Sequence, residues 1–256
     1  MDFLTLPTRT TGNRKFGITS VTDFGIPIGE LKHLLEDYHR YIDIAKLGVG
    51  SAYVTPNLQE KINLYKSFNI KVYCGGTLFE KCYLQGTLKK YTQSLRELGV
   101  NWIEVSNGTL DIPLEERISL VEELKEDFYV LGEVGSKDSD KDLSIRSWTE
   151  EITALLDAGC QYVITEGRDS GTAGIYNRNG EVKKSIVAEL SKQIDLRKVI
   201  FEAASSKHQM YFINAFGANV NLGNVKIQDA LLLEAERVGL RSETFFMADK
   251  RASSTK

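Results

Sequence analysis

Residues 87–108 read TLKKYTQSLRELGVNWIEVSNG, and this stretch sets the reading of the whole chain. Leu88, Tyr91, Leu95 and Leu98 recur at helical spacing on one face. The run stops at Gly99, a residue that takes the left-handed, helix-ending conformation at little cost. A short strand, WIEV, then leads into the turn SNG. Helix, glycine, strand and turn make up half of a β–α–β unit.

The same alternation recurs from end to end. Eight short β-rich runs begin near Phe16, Ile42, Lys71, Trp102, Tyr129, Tyr162, Val199 and Ala218, each followed by a helical pattern. Strands separated by helices imply parallel neighbours, because parallel pairing needs a long crossover. Gly159, Gly217 and Gly239 mark further helix ends, while Pro27, Pro56 and Pro113 stand at or just before helix starts. Eight such units in 256 residues imply an α/β fold, a single (β/α)8 TIM barrel with parallel strands over residues 1–256. An open doubly wound sheet would more often carry a GxGxxG turn, which is absent. Residues 1–13 and 248–256 read as loosely held ends.

Composition narrows the partners. A hydrophobic share of 42% and a charged share of 26% are ordinary for a soluble globular chain. Thirty-two Lys and Arg against 35 Asp and Glu leave a net charge of −3, which argues against nucleic acid or an anionic membrane as partner. No apolar run reaches the length of a membrane span, and the first residues lack a secretory pattern. Cys74, Cys82 and Cys160 form no CxxC pair, which fits reduced thiols in a cytoplasm. Whether the chain forms a homo-oligomer is left open.

In such a barrel, function gathers at the C-terminal ends of the strands. Four consecutive strands deliver a glutamate there: Glu104 in WIEV, Glu133 in VLGEV, Glu166 in VITEG and Glu202 in VIFEA. One such carboxylate is most simply a stabilising ion-pair partner. Four at equal depth repel one another unless cations neutralise them, and Mg2+ with its preference for oxygen ligands is the expected cofactor. Lys46, Lys137 and Arg168 supply positive charge beside them. The glycine-rich turns CGGT, SNGT and RDSGTAG, with NLGN read as a turn after the last strand, suit an anionic ligand such as a phosphate. NLGN nominates Asn221 and Gly223, since phosphate sites in this fold favour the loops after strands seven and eight. His33 and His39 read as surface residues of the first helix, and His208 as a lone histidine near the mouth. No Ser–His–Asp or Cys–His arrangement is readable, which disfavours nucleophilic hydrolysis.

The blocks KVYCGGTLFEK, IEVSNGT, GEVGSKD, ITEGRDSGT, VIFEA, NVNL and LRSETF, in this order, resemble the phosphosulfolactate synthase family. The resemblance implies a lyase that adds sulfite to phosphoenolpyruvate with Mg2+, giving (2R)-phospho-3-sulfolactate. That product leads toward coenzyme M in archaea and sulfolactate in some bacteria. It implies small anionic substrates, a role for Lys137 as the acid that protonates C2, and family matches at Glu104, Glu133, Glu166, Arg168, Ser170 and Gly171. The family's D-x-G falls on Asp23 and Gly25, and Asp23, Arg168, Ser170 and Gly171 are the substrate-binding residues this resemblance implies. Lys46 and Arg168 are expected to screen the repulsion between two anions. The chain departs from the family's usual pattern at Val49, where an aromatic is common, at Ala204, where proline is common, and at Gly223 in NLGN. These departures leave two other readings: the same chemistry on another nucleophile or phosphorylated carboxylate, and a non-catalytic, stress-related barrel. The intact charged set argues against the latter.

Overall fold

The computed structural model describes residues 3–138, 143–168 and 170–247. Eight strands alternate with helices: β1 Thr19–Asp23, α1 Ile28–Tyr38, β2 Ile44–Leu47, α2 Ser51–Val54, α3 Leu58–Ser67, β3 Lys71–Cys74, α4 Gly76–Leu84 and α5 Leu88–Glu97. There follow β4 Trp102–Val105, α6 Leu114–Leu124, β5 Tyr129–Val134, α7 Ile145–Ala158, β6 Tyr162–Thr165 and α8 Lys184–Gln193. The last turn of the barrel is β7 Val199–Glu202, α9 Ser206–Phe216, β8 Leu222–Lys226 and α10 Ala230–Arg237. All seven strand ladders are parallel, in the order β3-β2-β1-β8-β7-β6-β5-β4. β3 and β4 lie against each other without a ladder among the described residues, so this (β/α)8 TIM barrel is nearly closed rather than fully hydrogen-bonded.

Local sequence explains the joints. Pro27 and Pro113 occupy the positions just before α1 and α6, in extended backbone that proline prefers. The hydroxyl of Ser144 accepts from the N–H of Ser147 at the start of α7, and Gly159 (φ 126°) ends that helix. Between β3 and β4 the chain makes two helices, α4 and α5, where one was expected. Residues 9 and 10, expected to be loosely held, are tied to the barrel: Arg9 pairs with Glu234 (3.1 Å), and the Thr10 N–H donates to Asn219 (2.9 Å). The expectation for 248–256 lies outside the described residues.

Strand alternation divides the core in two. Outward side chains such as Val21, Ala45, Ile103, Val130, Val163 and Phe201 pack against the helices. Inward side chains form a separate plug: Ile18, Ile44, Tyr73, Trp102, Leu131, Tyr162, Ile164 and Ile200. Two residues beyond Ile44, Trp102, Leu131, Ile164 and Ile200 come Lys46, Glu104, Glu133, Glu166 and Glu202. Period-two geometry therefore sets one layer of charge directly above one layer of hydrocarbon.

Candidate functional site

The charged layer is buried. Glu104 is 0% exposed, Glu133 and Glu166 are each 1% exposed, and Glu202 is 3% exposed. Lys46 sits among them, its ammonium 3.2 Å from Glu202 and 3.7 Å from Glu104. Lys137, from the loop after β5, reaches to 3.7 Å from Glu166 and is partly open to solvent. Four carboxylates and two ammonium groups carry a formal charge of −2, so the ring is short of positive charge.

The four glutamates are not equivalent. Burial works against the charge of Glu133, but Lys137, Lys46 and the Ser106 hydroxyl (2.6 Å) together hold its carboxyl below the ordinary range. It also takes the Asn107 N–H at 3.0 Å. Glu202 accepts from Lys46 and from the Gly167 N–H (3.0 Å), yet burial still raises its carboxyl. Burial pushes Glu104 up to about 8, only partly opposed by Lys46. Burial, with Glu202 and Glu133 adding to it, raises Glu166 well above its ordinary value. Both oxygens of Glu104 and the Oε2 atom of Glu166 have no hydrogen-bond partner. Buried carboxylate oxygens left this way are costly unless protonated or met by a cation.

Both lysines are held in the charged form. Lys46 is largely enclosed, which disfavours its charge, but Glu104 and the neighbouring groups outweigh that and raise it well above its usual value. Burial likewise acts against Lys137, and Glu133 and Glu166 more than reverse it.

A cavity of about 170 Å3 lies over the ring. Lys46, Lys137, Glu166 and Glu202 line it from below, with Arg168, Val49 and Phe24 at the rim. Drug-sized pockets begin at about 300 Å3, so this one suits a ligand of few heavy atoms. Thr22, Thr77 and Asn224 also face it, none of them singled out from sequence. Asn224 arrives through a bulge: three residues of β1, Thr19 to Val21, oppose four of β8, Leu222 to Val225. The extra residue takes φ 53°, and its side-chain oxygen accepts from the Thr22 hydroxyl at 3.1 Å. Thr22 could have been found by stepping inward from Ile18 in twos. The bulge has no sequence signal.

Two glycines make room for this chemistry. A Cβ at Gly76 would strike Glu104 and Ser106, and one at Gly108 would lie 2.7 Å from Glu166 Oε2 and 2.9 Å from the Lys137 ammonium. CGGT and SNGT thus admit close approach between side chains, where sequence suggested backbone donors for a phosphate. Glu80 of α4 fixes the second loop by accepting the N–H groups of Thr109 and Leu110, both at 2.7 Å. The Gly108 carbonyl in turn accepts the Lys137 N–H at 2.9 Å.

Several nominated residues stand elsewhere. Asp23 points outward and is 1% exposed, engaged by Lys61 (2.9 Å), by the Tyr65 hydroxyl and by the N–H groups of Gly25 and Ile26. It braces the loop at the rim and has no surface left for a ligand. Asn221 lies at the opposite end of the barrel, accepting the Ile18 N–H and donating to Leu196, Arg197 and Val199 carbonyls. Gly223 is inside β8, paired with Glu202 and packed against Ile200. NLGN enters the last strand rather than leaving it, which removes both residues from the mouth. Arg168, in the left-handed region at φ 54°, does reach the rim. Among the described residues Ser170 bonds to Thr172 (2.7 Å), Gly171 packs on the ring of His208, and neither lines the cavity. His208 donates from Nε2 to the Gly180 carbonyl at 2.8 Å and stacks on Tyr176, outside the charged ring.

Among the described residues no three His, Cys, Asp or Glu side chains are grouped closely enough to hold a metal between them. Within the ring, the carboxylate oxygens without a hydrogen bond belong to Glu104 and Glu166. Mg2+ is commonly held by one or two carboxylates plus water and substrate oxygens, so this donor set fits it in chemical type and charge. No described helix is long and apolar enough to cross a membrane.

Fold and site together define a (β/α)8 barrel with a buried carboxylate–ammonium ring under a small mouth. Residues 7–243 match the model of the (2R)-phospho-3-sulfolactate synthase family, and the chain belongs to that family. It is 40% identical over 247 residues to the phosphosulfolactate synthase of Bacillus subtilis (strain 168), covering 95% of this chain and 98% of the relative. Identity to the phosphosulfolactate synthase of Methanocaldococcus jannaschii is 42% over 235 residues, covering 90% and 94%. Among solved structures it is similar to orotidine 5'-phosphate decarboxylase from Pyrococcus horikoshii OT3, with TM-score 0.57, 11% identity and coverage of 85% and 98%. That likeness concerns the fold alone.

Proposed function

We propose that this chain is a carbon–sulfur lyase that adds sulfite to phosphoenolpyruvate, in the presence of Mg2+, to give (2R)-phospho-3-sulfolactate. The observation that carries the reading is the small cavity itself, with Lys137 and Arg168 above a charge-deficient carboxylate ring, in a chain of this family. Sulfite is nucleophilic near neutral pH and needs no base. Its sulfur lone pair forms the new bond to C3, and the C2–C3 π electrons move onto the substrate carboxylate. C2 then takes a proton from the Lys137 ammonium, which is recharged from solvent.

Glu104 and Glu166 would hold Mg2+, which when bound supplies positive charge opposite the substrate carboxylate as electron density moves onto it. Lys46, fixed between Glu104 and Glu202, adds a permanent positive charge beneath the cavity. Arg168 at the rim offers its guanidinium to a phosphate or carboxylate. Because Glu133 and Glu166 keep Lys137 protonated, it holds a proton to give throughout the neutral range.

Steady-state kinetics of two variants test these roles. A positioned general acid contributes about 10²–10⁴-fold, so Lys137→Ala should lower kcat by about that factor with little change in KM. Arg168→Ala removes binding common to ground and transition states, so its loss should appear largely in KM. A Lys137→Ala enzyme with near-normal kcat ends the assignment of this lysine as the acid.

A further inference from the structure

The end of the barrel opposite the carboxylate ring also holds a cavity, of about 870 Å3, at the N-terminal ends of β2 to β6. Its floor is aromatic. Trp102 and Tyr129 stack with ring centres 5.1 Å apart, and Tyr162 also stacks with Trp102, at 6.3 Å. Tyr129 is 52% exposed and lines the cavity.

Its walls are cationic. Lys15, Arg40, Lys66 and Lys71 line it, and none of the four is ion-paired with a carboxylate among the described residues. The only acidic lining residue is Asp43, whose oxygens are occupied by Arg14 (2.9 Å) and by the Thr19 N–H. Lys66 donates to the Gly99 carbonyl and Lys71 to the Asn13 amide oxygen, both neutral acceptors. The Lys71 ammonium lies 6.0 Å from the centre of the Trp102 ring, and a second lysine, Lys198, lies 5.8 Å from that of Tyr162. Burial lowers the Lys71 ammonium from its usual value, so an incoming anion would relieve an unfavourable setting.

From this juxtaposition of an aromatic floor and cations in no ion pair among the described residues, we propose that the cavity binds an aromatic ring bearing phosphate groups, the chemistry of a nucleoside phosphate. The ring would stack on Tyr129 and the phosphates would reach Lys71 and Arg40. The site is separate from the mouth and does not depend on the reaction proposed there.

The test is titration calorimetry of the full chain with ATP, adenosine and inorganic triphosphate, in buffer containing EDTA and no Mg2+. Trp102 and Trp148 are the only tryptophans, so in a Trp148→Phe chain the fluorescence reports on the cavity floor directly. ATP should bind saturably and change that fluorescence. Adenosine and triphosphate should each bind about tenfold or more weakly, since each lacks half of the recognised chemistry. Lys71→Ala and Arg40→Ala should each weaken ATP binding about tenfold. Arg168→Ala, at the mouth, should leave ATP binding unchanged. The proposal is overturned if ATP shows no saturable binding up to millimolar concentration or if triphosphate binds as well as ATP. Loss of ATP binding in Arg168→Ala, or its persistence in both cavity variants, overturns it equally.

Discussion

Replacing Asp23 by alanine separates a bracing role from a ligand-binding one. Asp23 and Lys61 are both buried, at 1% and 3% exposure, with the ammonium 2.9 and 3.1 Å from the two carboxylate oxygens. Asp23 also accepts the Tyr65 hydroxyl and two backbone N–H groups, so Asp23→Ala strands four donors at once. Removing one partner of a buried pair costs about 3–5 kcal/mol, because the other charge is left uncompensated. At roughly 2–4 °C per kcal/mol for a chain of this size, Tm should fall by about 6–20 °C. Lys61→Met should cost a similar amount, and the double variant should lose less than the sum of the two. Thermal unfolding of the three variants, beside KM for phosphoenolpyruvate, gives the answer. A normal Tm with a raised KM in Asp23→Ala would refute the bracing role and return this residue to the substrate.

Two further outcomes follow from the same structure. If Glu104 and Glu166 hold Mg2+, excess chelator should abolish turnover and added Mg2+ restore it, while Glu104→Gln should raise the Mg2+ concentration needed for half-maximal rate. Full activity in chelator would remove that role from the ring. His208 is held below its ordinary value by burial, the Gly180 carbonyl only partly offsetting this. The unfolded chain therefore binds a proton that the folded chain resists, so His208 lowers stability as pH falls through about 6.5. Urea midpoints measured from pH 7.5 to 5.5 should drop less in His208→Gln than in the parent, and an unchanged slope would contradict the assignment.

The barrel was legible because two periodicities cover nearly every residue that builds it. The five strand starts at Lys71, Trp102, Tyr129, Tyr162 and Val199 coincide with those read from sequence. The inward direction of the four glutamates follows from the same period-two rule, applied from the apolar residue two places earlier. What was illegible depends on distant partners. Asp23 looks like a free strand-end carboxylate until Lys61, 38 residues away, is brought against it. NLGN resembles a closing turn because glycine and asparagine suit turns, but the bulge at Asn224 lets the strand continue through them. Nor does sequence rank the carboxylates: the Ser106 and Asn107 donors that quiet Glu133, and the absence of donors at Glu104, exist only in the folded ring.

The measurement that bears most directly on the proposed activity is product analysis by ³¹P and ¹³C NMR after mixing the chain with phosphoenolpyruvate, sulfite and Mg2+. The expected result is a single new phosphate ester whose C3 carries the sulfonate and whose C2 has gained one proton. Phosphoenolpyruvate left unchanged by folded protein, or consumed without a new carbon–sulfur bond, would contradict the proposed activity.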